Sequence, residues 1–155
     1  MMMKIIFLDV DGVLNNDSWC WDLYYKYGVY VYTNNILYEP SLLQLRRIIN
    51  KTDAKIVVSS AWRKVPSAYS DLLQWLKRYG MEVYDTTPYV GGIRGDDIEA
   101  LLKEHDDVES YVILDDDDDM GILYDRLVRT DFNKGLTKED ADICIKMLGG
   151  DLSDE

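Results

Sequence analysis

With 155 residues, 47% hydrophobic and 30% charged side chains and a formal net charge of −12, the chain has the size of one ordinary domain and a globular, not a disordered, composition. No apolar run approaches the roughly 18 residues that a membrane span needs, and the acid excess argues against general nucleic-acid binding, which depends on clustered Lys and Arg. The opening Met1-Met2-Met3-Lys4 has none of the features of a secretory signal, which points to a cytoplasmic protein.

The first predicted element is the apolar run Ile5-Ile6-Phe7-Leu8, which ends in Asp9-Val10-Asp11-Gly12. A continuous apolar run suits a central parallel strand covered on both faces. Open α/β sheets hold their ligands at the carboxyl ends of such strands, so Asp9 and Asp11 fall where chemistry is done. Residues i and i+2 of an extended chain project to one side, and the two carboxylates can converge on one ligand. A cation or a proton between them would relieve their repulsion, and Mg²⁺, which prefers oxygen ligands completed by phosphate, is the simplest such cation. An aspartate can also attack phosphorus while a second carboxyl serves the leaving oxygen. The bland alternative is a strand end followed by two acidic loop residues.

Residues 15–39 form an aromatic insert containing Trp19, Trp21, Tyr24, Tyr25, Tyr27, Tyr30, Tyr32 and Tyr38. The run Val29-Tyr30-Val31-Tyr32-Thr33 ahead of Asn34-Asn35 suggests a hairpin turned at the asparagines, making a flap beside the site that either packs on the sheet edge or stacks on substrate. Pro40-Ser41 opens a helix with Leu42, Leu45, Ile48 and Ile49 on one face. A second strand, Ala54-Lys55-Ile56-Val57-Val58, ends in Ser59-Ser60, whose hydroxyls and free amides suit a phosphate oxygen, with Arg63 near enough to act as a clamp. Taken alone, the two serines also fit a helix cap.

A helix carrying Leu72, Leu73, Trp75, Leu76 and Tyr79 runs to its Gly80 stop, and Glu82-Val83-Tyr84 reads as a third strand. Residues 86–95 are loop-like and present Arg94 to a phosphate just before a helix with Ile98, Leu101, Leu102 and His105 inward. The fourth strand, Tyr111-Val112-Ile113-Leu114, runs into Asp115-Asp116-Asp117-Asp118-Asp119. The strand fixes the direction of Asp115 and Asp116, whereas Asp117 to Asp119 read as solvated. Leu127 to Thr130 is a short edge strand, and Thr137 caps a last helix with Ala141, Cys144, Ile145 and Leu148 inward, ended by Gly149. Residues 1–150 read as a single domain and 151–155 as a frayed acidic tail. Cys20 and Cys144, without metal-ligand spacing, read as reduced packing residues.

Asp9-Val10-Asp11-Gly12-Val13-Leu14, the serine after the second strand, the basic residue before a later helix and Asp115-Asp116 together resemble the four motifs of the haloacid-dehalogenase (HAD) superfamily. The strings Val57-Val58-Ser59-Ser60-Ala61-Trp62-Arg63, Arg94-Gly95-Asp96-Asp97-Ile98, Val112-Ile113-Leu114-Asp115-Asp116 and Gly135-Leu136-Thr137 are similar to HAD domains associated with RNA-repair proteins, relatives of the phosphatase half of polynucleotide kinase-phosphatases.

The resemblance implies an α/β three-layer sandwich with a five-stranded, mainly parallel Rossmannoid sheet, the first strand central between the second and fourth, and no large cap domain. It implies Asp9 as nucleophile and Mg²⁺ ligand, and Asp11 as acid and then base, with its carbonyl on the metal. Ser59, or alternatively Ser60, would bind the phosphoryl group. Arg94 would neutralise its charge, Lys103 being the weaker candidate; Asp115 would complete the metal site, and Asp116 would ligate through water or orient its neighbours. Val13 stands where many such phosphatases carry threonine, and Arg94 fills a role often held by lysine. The activity implied is Mg²⁺-dependent phosphomonoester hydrolysis through an aspartyl phosphate, on a nucleotide or polynucleotide-end phosphate. Alternatives are a phosphoprotein or small-metabolite phosphatase, or a catalytically weak module that binds phosphate groups or a protein partner.

Overall fold

The computed structural model describes residues 2–153 and is built on one five-stranded parallel sheet. Strands β1 (Met3–Leu8), β2 (Lys55–Val58), β3 (Val83–Thr86), β4 (Val108–Asp115) and β5 (Leu127–Arg129) lie in the order β3-β2-β1-β4-β5. The expected central position of β1 between the second and fourth strands holds. Its residues Ile5 to Leu8 are all fully buried, as a strand with both faces covered requires.

Alternation along β1 divides the core into two layers. Ile6 and Leu8 face helices α3 (Glu39–Thr52), α4 (Pro66–Arg78) and α6 (Lys138–Met147), packing with Leu42, Leu45, Ile48, Leu72, Leu76 and Ile145. Ile5 and Phe7 face α5 (Arg94–Glu104) through Ile98 and Leu101. Each such aliphatic side chain contributes roughly 1.5–3 kcal/mol when fully buried, so the two layers hold the sheet's shape rigidly behind the site. Cys20 and Cys144 are free and buried, as expected of packing residues. Among the described residues, no helix is long and apolar enough to cross a membrane.

The insert departs from expectation. No strand forms in residues 15–39; they fold instead as α1 (Asp17–Tyr27) and the single-turn α2 (Val31–Asn34). Asn16 caps α1 by accepting from Trp19 N at 2.8 Å, and Gly28 ends it at φ +67. Asn35 does turn the chain, at φ +52, but as the left-handed residue that closes α2. A hairpin here would need a neighbouring ladder, whereas burying Val31 and Leu37 beneath a helical cover satisfies the apolar residues locally. Asn35 also ties the insert to α4, accepting from Trp75 Nε1 at 3.0 Å and donating to Asp71.

Three smaller segments gain definition from packing and hydrogen bonding. In α4 the buried residues are Ala68, Leu72 and Leu76, each one turn from the next, while Leu73 is exposed and Trp75 and Tyr79 are partly buried. His105 is the residue that ends α5, half-buried with Nδ1 3.8 Å from Asp107, and not part of its inner face. In the expected tail, Asp151 accepts from Ser153 N at 2.8 Å, while Asp154 and Glu155 lie outside the described residues.

Candidate active site

The carboxyl ends of the strands bring the acids and hydroxyls of distant segments into one row. The parallel ladders continue one residue past the named strands: Asp9 N donates to Leu114 O, Ser59 N to Leu8 O, Thr87 N to Val58 O and Thr130 N to Asp115 O. Asp9, Ser59, Thr87 and Thr130 therefore sit at the sheet's rim with their main chains pinned, each nine-tenths or more buried. Such anchoring gives the side chains precise directions before any ligand arrives.

Asp9, Asp115 and Asp116 form the acidic centre, each offering a carboxylate oxygen within 4.8 Å of the others. Asp115 is the last residue of β4 and fully buried. Burial, and then the Asp9 charge, push the Asp115 carboxyl up to about 8; the same causes push Asp116 up to about 6. Gly12, at φ +82, is required here for two reasons: the left-handed turn, and the Asp116 carboxyl, which a Cβ would meet at 2.7 Å.

Arg94 brings positive charge into this cluster. Its Nη1 lies 2.9 Å from Asp9 Oδ1 and 2.8 Å from Asp115 Oδ2. Burial alone would lower the guanidinium's pKa, but the Asp9 and Asp115 charges and hydrogen bonds outweigh it, and the net shift is upward. Arg94 opens α5, and Asp119 holds that end: Oδ2 accepts from Arg94 N at 3.3 Å and its carbonyl accepts from Gly95 N at 3.1 Å. Asp119 is thus a structural residue, against the expectation of a merely solvated one, whereas Asp117 and Asp118 are exposed as expected. Lys103 lies elsewhere, on the exposed face of α5 beside Glu99.

Asp11 points away from the acidic centre. Its Oδ1 accepts from Asn15 Nδ2 at 2.8 Å and its Oδ2 from Trp62 Nε1 at 3.3 Å, and its carboxylate is not one of the three that converge. The sequence reading missed both partners. Asn15 was findable as a polar residue closing the Asp11 loop, since its Oδ1 also accepts from Gly12 N at 2.8 Å; Trp62, 51 positions away, carried no local signal.

The two serines separate clearly. Ser60 Oγ caps the 3-10 turn Ala61–Lys64, accepting from Trp62 N at 3.2 Å. Ser59 Oγ is fully buried beside Asp9 and has no hydrogen-bond partner, an arrangement that costs free energy unless a ligand completes it. Arg63, expected as a phosphate clamp, is instead an internal strut. Its five N–H groups go to Thr87 O, Ser59 O, Ser60 O, Pro88 O and Asp97 Oδ2. The guanidinium joins the loops after β2 and β3 to α5, with no donor left over for a ligand.

A family model described as the HAD domain in Swiss Army Knife RNA repair proteins matches residues 5–141. No curated protein and no solved structure matches the chain.

Proposed function

The chain belongs to the HAD domains of Swiss Army Knife RNA repair proteins, and from that premise we propose that it is a phosphomonoester hydrolase working through an aspartyl phosphate on Asp9, with a nucleotide or polynucleotide-end phosphate as substrate. The observation that carries the reading is the divergence of the two motif aspartates: Asp9 joins the acidic centre under Arg94, while Asp11 is held apart by Asn15 and Trp62. One position suits a nucleophile and the other a proton carrier.

In the first half-reaction a carboxylate oxygen of Asp9 attacks phosphorus, forming the new O–P bond as the bond to the leaving oxygen breaks. Asp11 gives that oxygen a proton. Ser59 Oγ donates to a phosphoryl oxygen, satisfying its orphaned hydroxyl, and Arg94 offsets the charge that develops. In the second half-reaction Asp11 takes a proton from the water that attacks the phosphoryl group on Asp9, releasing inorganic phosphate and restoring the carboxylate.

The donor set fits a hard dication, because three convergent carboxylates, two of them buried, are what an oxygen-ligated site needs. Asp9, Asp115 and Asp116 would hold Mg²⁺, and Asp11 would join them through its carbonyl, since its carboxylate is engaged elsewhere. When bound, the ion supplies positive charge against the phosphoryl oxygens. The test of the activity is a panel of phosphomonoesters, including 3′-phosphate oligonucleotides, phosphopeptides and acetyl phosphate, assayed with and without Mg²⁺. Mg²⁺-dependent turnover confined to phosphopeptides would overturn the nucleic-acid assignment.

Stability should report the metal independently of turnover. Because the Asp115 and Asp116 carboxyls are raised to about 8 and about 6, their contribution is full below the ordinary carboxylate range near 4. It is lost as pH rises through those values. The chelated protein is expected to lose Tm between pH 5 and 9. Saturating Mg²⁺ should reverse that loss, with a larger shift at pH 8 than at pH 5.5, because deprotonated ligands bind the ion and only the folded state assembles them. An Asp115→Ala variant whose Mg²⁺ shift matches the wild type would remove Asp115 from the site.

Gly95 gives a second check on Arg94. A Cβ there would lie 2.3 Å from the Met120 carbonyl oxygen, so Gly95→Ala must displace the start of α5. Overpacking of this kind costs roughly 1–3 kcal/mol, and a catalytic group misplaced by about 1 Å can lose on the order of 10²-fold in rate. The expected result is a folded variant with a lower Tm and kcat down by one to two orders of magnitude; unchanged kcat would detach Arg94 from the reaction.

A further inference from the structure

The helical insert leaves a set of aromatic rings uncovered beside Asp11. Trp21 and Tyr24 from α1 and Tyr30 and Tyr32 from the α2 segment are 52%, 37%, 58% and 40% exposed, although their rings are large enough to anchor a core. They do not scatter. Together with Asp17 and Cys20 they line a cavity of about 370 Å³, and their mutual contacts hold them in place: Tyr24 to Tyr30 at 4.9 Å, and Tyr25 stacked on Trp21 at 5.6 Å and 25°.

Position relative to the reacting groups decides what such a cavity can hold. Asn15, which binds Asp11 Oδ1, directly precedes Asn16, the cap of α1, so the cavity's first wall starts two residues beyond the partner of Asp11. The Asp11 and Asp17 charges both reach Tyr32, whose phenol is raised above its ordinary value chiefly by burial and by donating to Cys20. Ser59 and Arg94, which would take the phosphoryl oxygens, come from β2 and α5. The leaving oxygen must face Asp11, and the cavity on the α1 side of Asn15 can take the group attached to it.

The chemistry of the walls narrows that group. No Lys or Arg lines the cavity, and Asp17 is its one carboxylate, so an anionic occupant would be repelled. A neutral flat ring is favoured, because stacking on aromatic faces needs no basic surface and tolerates any base. The Asp17 carboxylate can accept from a ring or exocyclic N–H.

We propose that the cavity between α1 and α2 is a nucleobase subsite, holding the base of the nucleoside whose phosphate is removed. The inference rests on the phosphatase reading and names the part of the substrate that lies beyond the leaving oxygen.

The test compares wild type, Trp21→Ala, Trp21→Phe and Tyr24→Ala on three substrates: an oligonucleotide with a terminal phosphate, the same oligonucleotide with an abasic residue under that phosphate, and acetyl phosphate. Wild type should show a KM on the order of tenfold higher on the abasic end, the scale of one base–aromatic contact. Trp21→Ala should raise KM by a similar factor on the base-bearing end alone, with Trp21→Phe close to wild type. Equal losses on all three substrates, or no difference between base-bearing and abasic ends, would overturn the subsite. So would a dependence on Trp21 seen only with a phosphotyrosine peptide. Tryptophan fluorescence titrated with adenosine separates this failure from that of the catalytic reading: quenching in wild type that is lost in Trp21→Ala supports the subsite even without turnover, and its absence overturns it.

Discussion

Replacing Asp9 by asparagine is expected to bring turnover of an aryl phosphate to background while leaving the fold intact. The change is isosteric, and Asp9 is only 7% exposed, held by its main-chain hydrogen bond to Leu114. What disappears is chemical: an amide does not attack phosphorus, and the acidic centre loses one of its three carboxylates. Asp11→Asn should behave differently. Its carboxylate stands outside the acidic centre, so the Mg²⁺-dependent rise in Tm should survive, while turnover falls by roughly 10²-fold or more, the usual contribution of general acid–base catalysis. Near-wild-type turnover in Asp9→Asn would remove the aspartyl phosphate from the mechanism. Loss of the Mg²⁺ response in Asp11→Asn would mean that its side chain, and not its carbonyl, holds the metal.

The legibility of this site followed the length scale of the forces that built it. Asp9, Ser59 and Asp115 were readable because each ends or directly follows a strand buried on both faces, and such strands announce themselves as unbroken apolar runs whose direction dictates where the next side chain goes. β4 was only half visible: its first residues, Val108 to Ser110, are partly buried or, at Glu109, exposed, at the strand's amino-terminal end, where the ladder and not the side-chain pattern fixes the strand. The insert was misread for a related reason. α1 has a single buried residue, Cys20, so no apolar stripe of helical period exists to find, and its aromatic residues are of the types enriched in strands. Its caps, Asn16 and Gly28, were the surviving signals.

Asp119 and Arg63 mark a different boundary. Both lie in stretches whose charge invites a solvated or ligand-binding reading, and in both the partner that decides otherwise is remote in sequence: Asp119 meets Arg94 N across 25 positions, and Arg63 meets Asp97 across 34. Local patterning holds no record of such closures. They exist only once α5 has docked on the sheet with Gly95 against Met120.

The Arg63 strut leads to the second large effect, expected in stability. Arg63 and Asp97 form an ion pair at 2.9 Å with side chains 6% and 8% exposed, and Asp97 Oδ1 also accepts from Val90 N at 2.9 Å. Asp97→Ala would strand a buried guanidinium, a change that typically costs about 3–5 kcal/mol, a large part of the roughly 5–15 kcal/mol that holds a domain together. For a chain of this size the expected fall in Tm is about 10 °C, measured by thermal and denaturant unfolding. Arg63→Lys discriminates strut from clamp: an ammonium keeps the charge but cannot serve five acceptors in a planar fork. As a strut, Arg63→Lys loses Tm while the KM for acetyl phosphate, read at low temperature where the variant is folded, stays near wild type. A phosphate clamp predicts the reverse, an unchanged Tm with a raised KM, and that outcome would return Arg63 to the phosphate site.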